Sequence, residues 1–249
     1  MREDVAKPAD APTILATSGG IVAGERTRYE VGPLTHHAVE LAGVTGRAPR
    51  VCYLGSASGD QPQGIRDFYD AAQLAGFAPS HLQLFTMPNV PDIRAHLLSQ
   101  DVIWVFGGSV AGLLAMWELH GVGDVMREVW EAGVVLTGVS AGSICWHVGG
   151  TTDSFGPELR PITNGLALLP YSNGVHYDSE EERRPLFQRL ITDGTLPAGY
   201  ATDDGVGVMY RGTEMVGAYR EIDRAGAYWV ERDTGGTAVE TRLETTLLK

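Results

Sequence analysis

The chain has 249 residues, 43% of them hydrophobic and 20% charged, with 32 glycines against 13 prolines, a globular composition that argues against disorder and collagen. Its formal net charge of −12, from 19 basic against 31 acidic side chains, comes without a local basic stripe, which argues against nucleic acid as a partner. No apolar run approaches the ~18 residues of a membrane span, and the opening MREDVAKPADAPT is too acidic and polar for a signal peptide, so no membrane contact and a cytoplasmic location are expected.

Residues 1–12 mix Pro, Asp and Ala without an apolar period and are expected to form a flexible lead, with a single α/β domain over 13–249. From there, short apolar runs alternate with helical patterns. The runs fall at 13–17, 50–54, 82–85, 102–106 and 134–137, and several are apolar nearly throughout, as parallel strands covered on both faces require. Between the first two, Leu34, Ala38, Leu41 and Ala42 share one helical face; after the second, Ile65, Phe68, Tyr69 and Ala72 do the same. This alternation predicts a doubly wound, mostly parallel sheet with helices on both faces. After about residue 205 the pattern changes to short alternating runs with turn signals, which predicts antiparallel hairpins at the C-terminus. Tyr219, Tyr228, Trp229 and Val230 in that tail would cover an edge strand or pair with a second subunit, so a homodimer is one expectation. Cys52 and Cys145 lie in apolar runs without C-x-x-C spacing and are read as buried thiols of a reducing compartment.

The chemistry concentrates at residues 134–147. An apolar strand runs into Gly138-Val139-Ser140-Ala141-Gly142 and then into a helical run, the G-x-S-x-G context of a nucleophile elbow. Glycines two residues either side let neighbouring backbone pass close to a serine held on a strained turn. The amide of Ala141 points the same way as the serine and can donate to a developing oxyanion. A second glycine turn, Phe106-Gly107-Gly108-Ser109, ends another buried strand, and the Gly108 amide is positioned to be a second donor. Thr17-Ser18-Gly19-Gly20, after the first strand, reads as a wall of the site and nothing more.

A serine hydroxyl needs a base within reach and a third group to orient that base. Of seven histidines, His36, His37, His81, His96 and His120 lie away from the expected carboxyl ends of strands. His147 is about two helical turns past Ser140, ~10 Å along the axis, and cannot easily reach back. His176, at the end of a short run after the elbow, is the favoured base. The orienting acid is open among Asp204 and Asp203 in Thr202-Asp203-Asp204-Gly205, Asp178 and Asp153. There is no H-E-x-x-H and no cysteine cluster, so neither a metal nor an organic cofactor is expected.

The elbow, the upstream Phe-Gly-Gly-Ser, the His-Tyr after the serine and the later Asp-Asp-Gly together resemble the S51 serine peptidases, the family of dipeptidase E (aspartyl dipeptidase) and, more distantly, cyanophycinase. The resemblance covers roughly residues 13–220. It implies an α/β fold similar to class I glutamine amidotransferases and a Ser-His-Glu triad. By position it implies Ser140 as nucleophile, His176 as base, and Gly108 and Ala141 as oxyanion amides. The family's glutamate falls where this chain has Asp204, one methylene shorter, so either the backbone approaches more closely or Asp203, Asp178 or Asp153 takes the role. Arg183 or Arg184, in Glu180-Glu181-Glu182-Arg183-Arg184, is placed to read a substrate carboxylate. The plainer alternative for this stretch is a solvated helix face with Glu–Arg pairs. The activity implied is a serine dipeptidase on short peptides with a free N-terminus, of the Asp-X type. An amidase or esterase of the same fold, or a silent small-ligand binding protein, are the rival readings.

Overall fold

The computed structural model describes residue 9 and residues 11–249, so most of the lead expected over 1–12 lies outside the described residues. The first strand, β1 (Thr13–Thr17), is followed by a small hairpin, β2 (Ile21–Ala23) and β3 (Tyr29–Val31), and by α1 (Pro33–Leu41). Then come β4 (Arg50–Leu54), α2 (Pro62–Leu74), β5 (Ala78–Leu82), α3 (Ile93–Leu98), β6 (Val102–Val105), α4 (Val110–His120), α5 (Val122–Glu131) and β7 (Val135–Val139). Past it lie the short α6 (Ala141–Ile144), β8 (Gly149–Thr152), β9 (Arg160–Ile162), β10 (Ser172–Gly174), α7 (Arg183–Thr192) and β11 (Gly199–Thr202). The chain finishes with β12 (Val206–Arg211), β13 (Glu214–Arg220), β14 (Ala227–Arg232), β15 (Ala238–Leu243) and β16 (Thr246–Leu247).

These strands build two main sheets. The eight-stranded one has the order β16-β13-β12-β1-β7-β6-β4-β5, and its run from β1 to β5 is parallel, as the alternating pattern predicted. The reason is visible strand by strand. Cys52, Leu54, Ile103, Val105 and Leu136 point to one face, where Leu113 and Trp117 of α4 and Met126 of α5 cover them. Their neighbours Val51, Tyr53, Val102, Trp104 and Val135 point to the other, against Phe68, Ala71 and Ala72 of α2. Each such large side chain removed from water contributes about 1.5–3 kcal/mol, so a strand apolar on both faces is stable only between two helical layers. Both helices that start after a tight turn on the α2 side carry Pro at their first position, where the missing N–H costs nothing. Ser109 caps α4 by accepting the amide of Gly112 at 3.0 Å.

The strand expected at 82–85 lies instead at Ala78–Leu82. Pro79 is tolerated there because β5 is the sheet's outer strand, and Leu84 and Phe85 turn away with both amides donated to the Asp60 carboxylate. The C-terminal hairpins divide between two sheets. β12 runs antiparallel to β1 and extends the first sheet, whereas β14 and β15 join a six-stranded sheet of order β15-β14-β11-β10-β8-β9. In this second sheet β8, β10 and β11 are parallel and the outer strands antiparallel. The chain therefore crosses from one sheet to the other between β11 and β12, and that crossing carries Asp203, Asp204 and Gly205. Both cysteines are buried and unbridged, and burial pushes the Cys52 thiol up to about 12. No described helix is long and apolar enough to cross a membrane.

Candidate active site

Ser140 follows the last residue of β7 with φ 58° and ψ −115°, a conformation that costs a non-glycine residue roughly 1–3 kcal/mol. The flanking glycines explain how it is sustained. A Cβ on Gly142 would run into the Val105 carbonyl, and one on Gly138 into the Gly142 carbonyl, so the turn closes only with hydrogen at both places. The Ser140 amide donates to the Thr17 carbonyl of the adjacent strand (3.1 Å), and its own carbonyl accepts from Ser143 and Ile144 (2.8 and 3.0 Å). The turn is thus held from both sides while the serine itself is half-buried.

The second glycine turn lies directly alongside. A Cβ on Gly107 would sit 3.2 Å from the Ser140 Cβ, and Gly108 has φ 137° with the Ala57 carbonyl filling the space a side chain would need. Ser109 donates its amide to that same carbonyl at 2.8 Å, which locks the turn. Among the described residues the amides of Gly108 and Ala141 have no acceptor, so both remain available beside the serine. A cleft of about 410 Å³ opens there, lined by Gly108, Ser140, Asp153, Glu180 and Arg183 among others.

His176 comes from the second sheet. It stands two residues past β10, also at positive φ (52°), and its Nδ1 lies 2.5 Å from Oδ1 of Asp204. The four candidate aspartates separate cleanly. Asp204 faces the imidazole. Asp178 accepts the Asp204 amide at 2.8 Å and so fixes the turn that presents it. Asp203 points the other way, 5% exposed, its Oδ2 accepting from the Gly226 amide (2.8 Å) and the Tyr228 hydroxyl (3.1 Å), and burial raises its carboxyl above the usual range. Asp153 lines the same cleft as the serine. Aspartate at position 204 therefore reaches the ring despite being a methylene shorter than glutamate, because the β11–β12 crossing brings its backbone close.

The two arginines also part ways. Arg183 is 3% exposed, donates from Nε and a terminal nitrogen to Glu180 (2.7 and 3.2 Å) and from its other terminal nitrogen to the Thr151 carbonyl (2.7 Å), and lines the cleft. The i,i+3 Glu–Arg pair forms, but as part of the cleft wall and not on a solvated face. Arg184 is not among the cleft residues. It pairs with Glu240 of β15 and lies over the rings of Tyr177 (5.1 Å) and Tyr228 (4.9 Å). His147 is fully buried between the Ser143 carbonyl (2.9 Å) and the Tyr210 hydroxyl (3.3 Å), and burial pulls its imidazole down to about 4, so it is a neutral core residue.

The turn after β1 carries contacts that its own residues do not announce. Ser18 is more than a wall: its hydroxyl accepts the His176 amide at 3.2 Å, a contact between residues 158 positions apart that no local pattern announces. Glu221 does similar work further back, accepting the amides of Gly20 and Leu34.

With the geometry in place, comparison with known proteins is specific. The model of peptidase family S51 matches residues 14–217. The uncharacterized peptidase YgaJ of Bacillus subtilis (strain 168) is 40% identical over 182 residues, covering 73% of this chain and 78% of that protein. Peptidase E of Shewanella denitrificans is 27% identical over 158 residues, covering 60% of this chain and 67% of that one. Among solved structures, a peptidase from an acI-B1 Actinobacterium superposes with a TM-score of 0.66 at 14% identity, over 94% of this chain and 95% of the other, a likeness of fold.

Proposed function

The chain belongs to peptidase family S51 and is a serine-type peptidase hydrolase, and from that premise we propose that it is a dipeptidase that cleaves short peptides with a free N-terminus through Ser140, His176 and Asp204. The observation that carries this reading is the 2.5 Å contact of His176 Nδ1 with Asp204, on a histidine and a serine that each leave a strand end at positive φ. With Nδ1 committed to the carboxylate, Nε2 is the atom that exchanges protons. His176 takes the Ser140 proton as the hydroxyl attacks the scissile carbonyl and returns it to the leaving amine; water then repeats the cycle on the acyl-enzyme. Asp204 holds the tautomer and stabilises the imidazolium. The amides of Gly108 and Ala141 receive the oxyanion, each donor contributing about 3 kcal/mol in comparable sites.

The cleft carries two carboxylates, Asp153 and Glu180, against one guanidinium, Arg183. Glu180 is already engaged with Arg183, which leaves Asp153 to meet the α-ammonium of a substrate. Selectivity for an N-terminal aspartate, in this reading, falls to Arg183, whose guanidinium a substrate β-carboxylate would contest with Glu180. Arg184, tied to Glu240, is outside that role.

The test is release of amino acids from dipeptides beginning with Asp, Glu, Gly, Ala, Leu and Arg, run on wild type and Ser140→Ala. The expected result is hydrolysis in the wild type and a fall of about 10⁴–10⁶ in kcat in the variant. Hydrolysis confined to Asp-X supports the aspartyl specificity, and hydrolysis of the others alone removes it. Turnover of chromogenic esters with silence on every dipeptide would overturn the peptidase reading in favour of an esterase.

A further inference from the structure

We propose that Ser18 is the positioning residue that sets His176 over the nucleophile, an inference that rests on the Ser140, His176 and Asp204 reading above. The problem it solves is one of assembly. Ser140 leaves the first sheet at the end of β7, His176 leaves the second just past β10, and Asp204 sits on the crossing between them. Asp178, two residues past His176, accepts the Asp204 amide at 2.8 Å and ties those two turns together, but nothing in the local chain of either fixes its relation to Ser140.

Thr17, the last residue of β1, and Ser18 just past it touch all three turns. The Thr17 carbonyl accepts the Ser140 amide at 3.1 Å. The Ser18 hydroxyl accepts the His176 amide at 3.2 Å. The Ser18 carbonyl accepts the amide of Gly205, next to Asp204, at 2.9 Å, and the Ser18 amide donates to Val206 at 2.8 Å. Ser18 is 3% exposed and pinned by its backbone on both sides, so its hydroxyl has a fixed location from which to act.

Its side chain is also oriented. The Ser18 Oγ lies 2.7 Å from Oγ1 of Thr202 and 3.3 Å from the Thr202 carbonyl, so its hydrogen is directed to that residue and a lone pair is left for His176. The Thr202 carbonyl meanwhile accepts the Tyr177 amide at 3.1 Å. The two amides around the positive-φ His176 therefore both land on the Ser18–Thr202 pair, and the conformation is determined there and not by the short strand before it. A hydroxyl is the smallest group that can accept one amide while donating elsewhere in a buried space; alanine offers no acceptor, and the His176 amide would be left unpaired.

The test compares Ser18→Ala and Ser18→Cys with wild type on a hydrolysed dipeptide, alongside His176→Ala. Displacing a general base by a fraction of an ångström should lower kcat about 10–100-fold in Ser18→Ala with KM within about 2-fold, and Ser18→Cys, which keeps the shape with a weaker acceptor, should fall between. Proton NMR supplies a readout that a general packing defect would not move: the low-field Nδ1–H resonance of His176 against Asp204 should shift or broaden in Ser18→Ala while the remaining amide spectrum keeps its dispersion. A folded Ser18→Ala or Ser18→Cys with wild-type kcat and an unshifted resonance overturns the inference, as does a change confined to KM. If His176→Ala retains hydrolysis, the fault lies in the triad reading itself, which the His176 variant detects without reference to Ser18.

Discussion

The serine-bearing and histidine-bearing halves of the candidate site solve the same problem in opposite ways. Ser140 and His176 each stand just past a strand end at positive φ, 58° and 52°. Around Ser140 the strained turn is sustained by nearby sequence: Gly138 and Gly142 leave room for carbonyls that any Cβ would strike, and Ser143 and Ile144 bond back to the serine carbonyl. Around His176 the support comes from far away. Its amide goes to Ser18 and the next amide to Thr202, while its ring goes to Asp204, 28 positions on. One half is encoded by a pentapeptide; the other exists only once the two sheets have met.

The largest effect should come from separating the adjacent aspartates at the crossing. Asp204→Asn is expected to lower kcat by about 10⁴-fold with the fold intact, because an amide in place of the carboxylate favours the wrong imidazole tautomer. Asp203→Asn should leave kcat within about 3-fold yet lower stability by roughly 1–3 kcal/mol, since that carboxylate serves the Gly226 amide and Tyr228. Steady-state rates and thermal unfolding on the two variants read this directly, and an exchange of the two phenotypes would reverse the assignment of the orienting acid.

Gly108→Ala should act on the serine side. With φ 137° and the Ala57 carbonyl in the way, the new methyl displaces the turn that aims the Gly108 amide, and a loss of about 10²–10³ in kcat is expected, comparable to removing one oxyanion donor. Wild-type turnover in this variant would remove Gly108 from the oxyanion site.

The last effect is on stability against pH, leaves the rate untouched at neutral pH, and belongs to His147 behind the Ser140 turn. Its imidazole is pulled down to about 4 by burial, against an ordinary value of 6.5. Above pH 6.5 the residue is neutral folded and unfolded and contributes no slope. As pH falls from 6.5 towards 4 the unfolded chain takes up the proton and the folded chain does not, so up to about 3 kcal/mol of stability is lost across that window. His147→Gln should flatten that part of a curve of unfolding free energy against pH, and an unchanged slope would contradict the neutral, buried assignment.

Much of the molecule was legible in its residues. The runs at 13–17, 50–54 and 102–106 are apolar at successive positions, so they had to lie between two helical layers, and Ser140 announced itself through glycines whose spacing matters sterically. The end of a short run past the Ser140 turn is where the sequence placed His176, and there its ring meets Asp204. What was hidden is all long-range: that the C-terminal strands divide between two sheets, that Asp204 and not Asp203 faces the ring, that Arg183 is drawn into the cleft wall while Arg184 leaves for Glu240, and that Ser18 serves the histidine.

The division has a physical cause. Hydrophobic period and glycine spacing report on a residue's own strand or turn, which neighbours in sequence determine, and so the parallel sheet and the glycine-flanked turn at Ser140 follow from the sequence alone. Which of two adjacent carboxylates meets an imidazole depends on the direction the chain takes as it passes from β11 to β12. That direction is set by pairing of β12 with β1 and of β14 with β11, contacts whose partners lie far apart in the chain. Only the packed tertiary structure decides it.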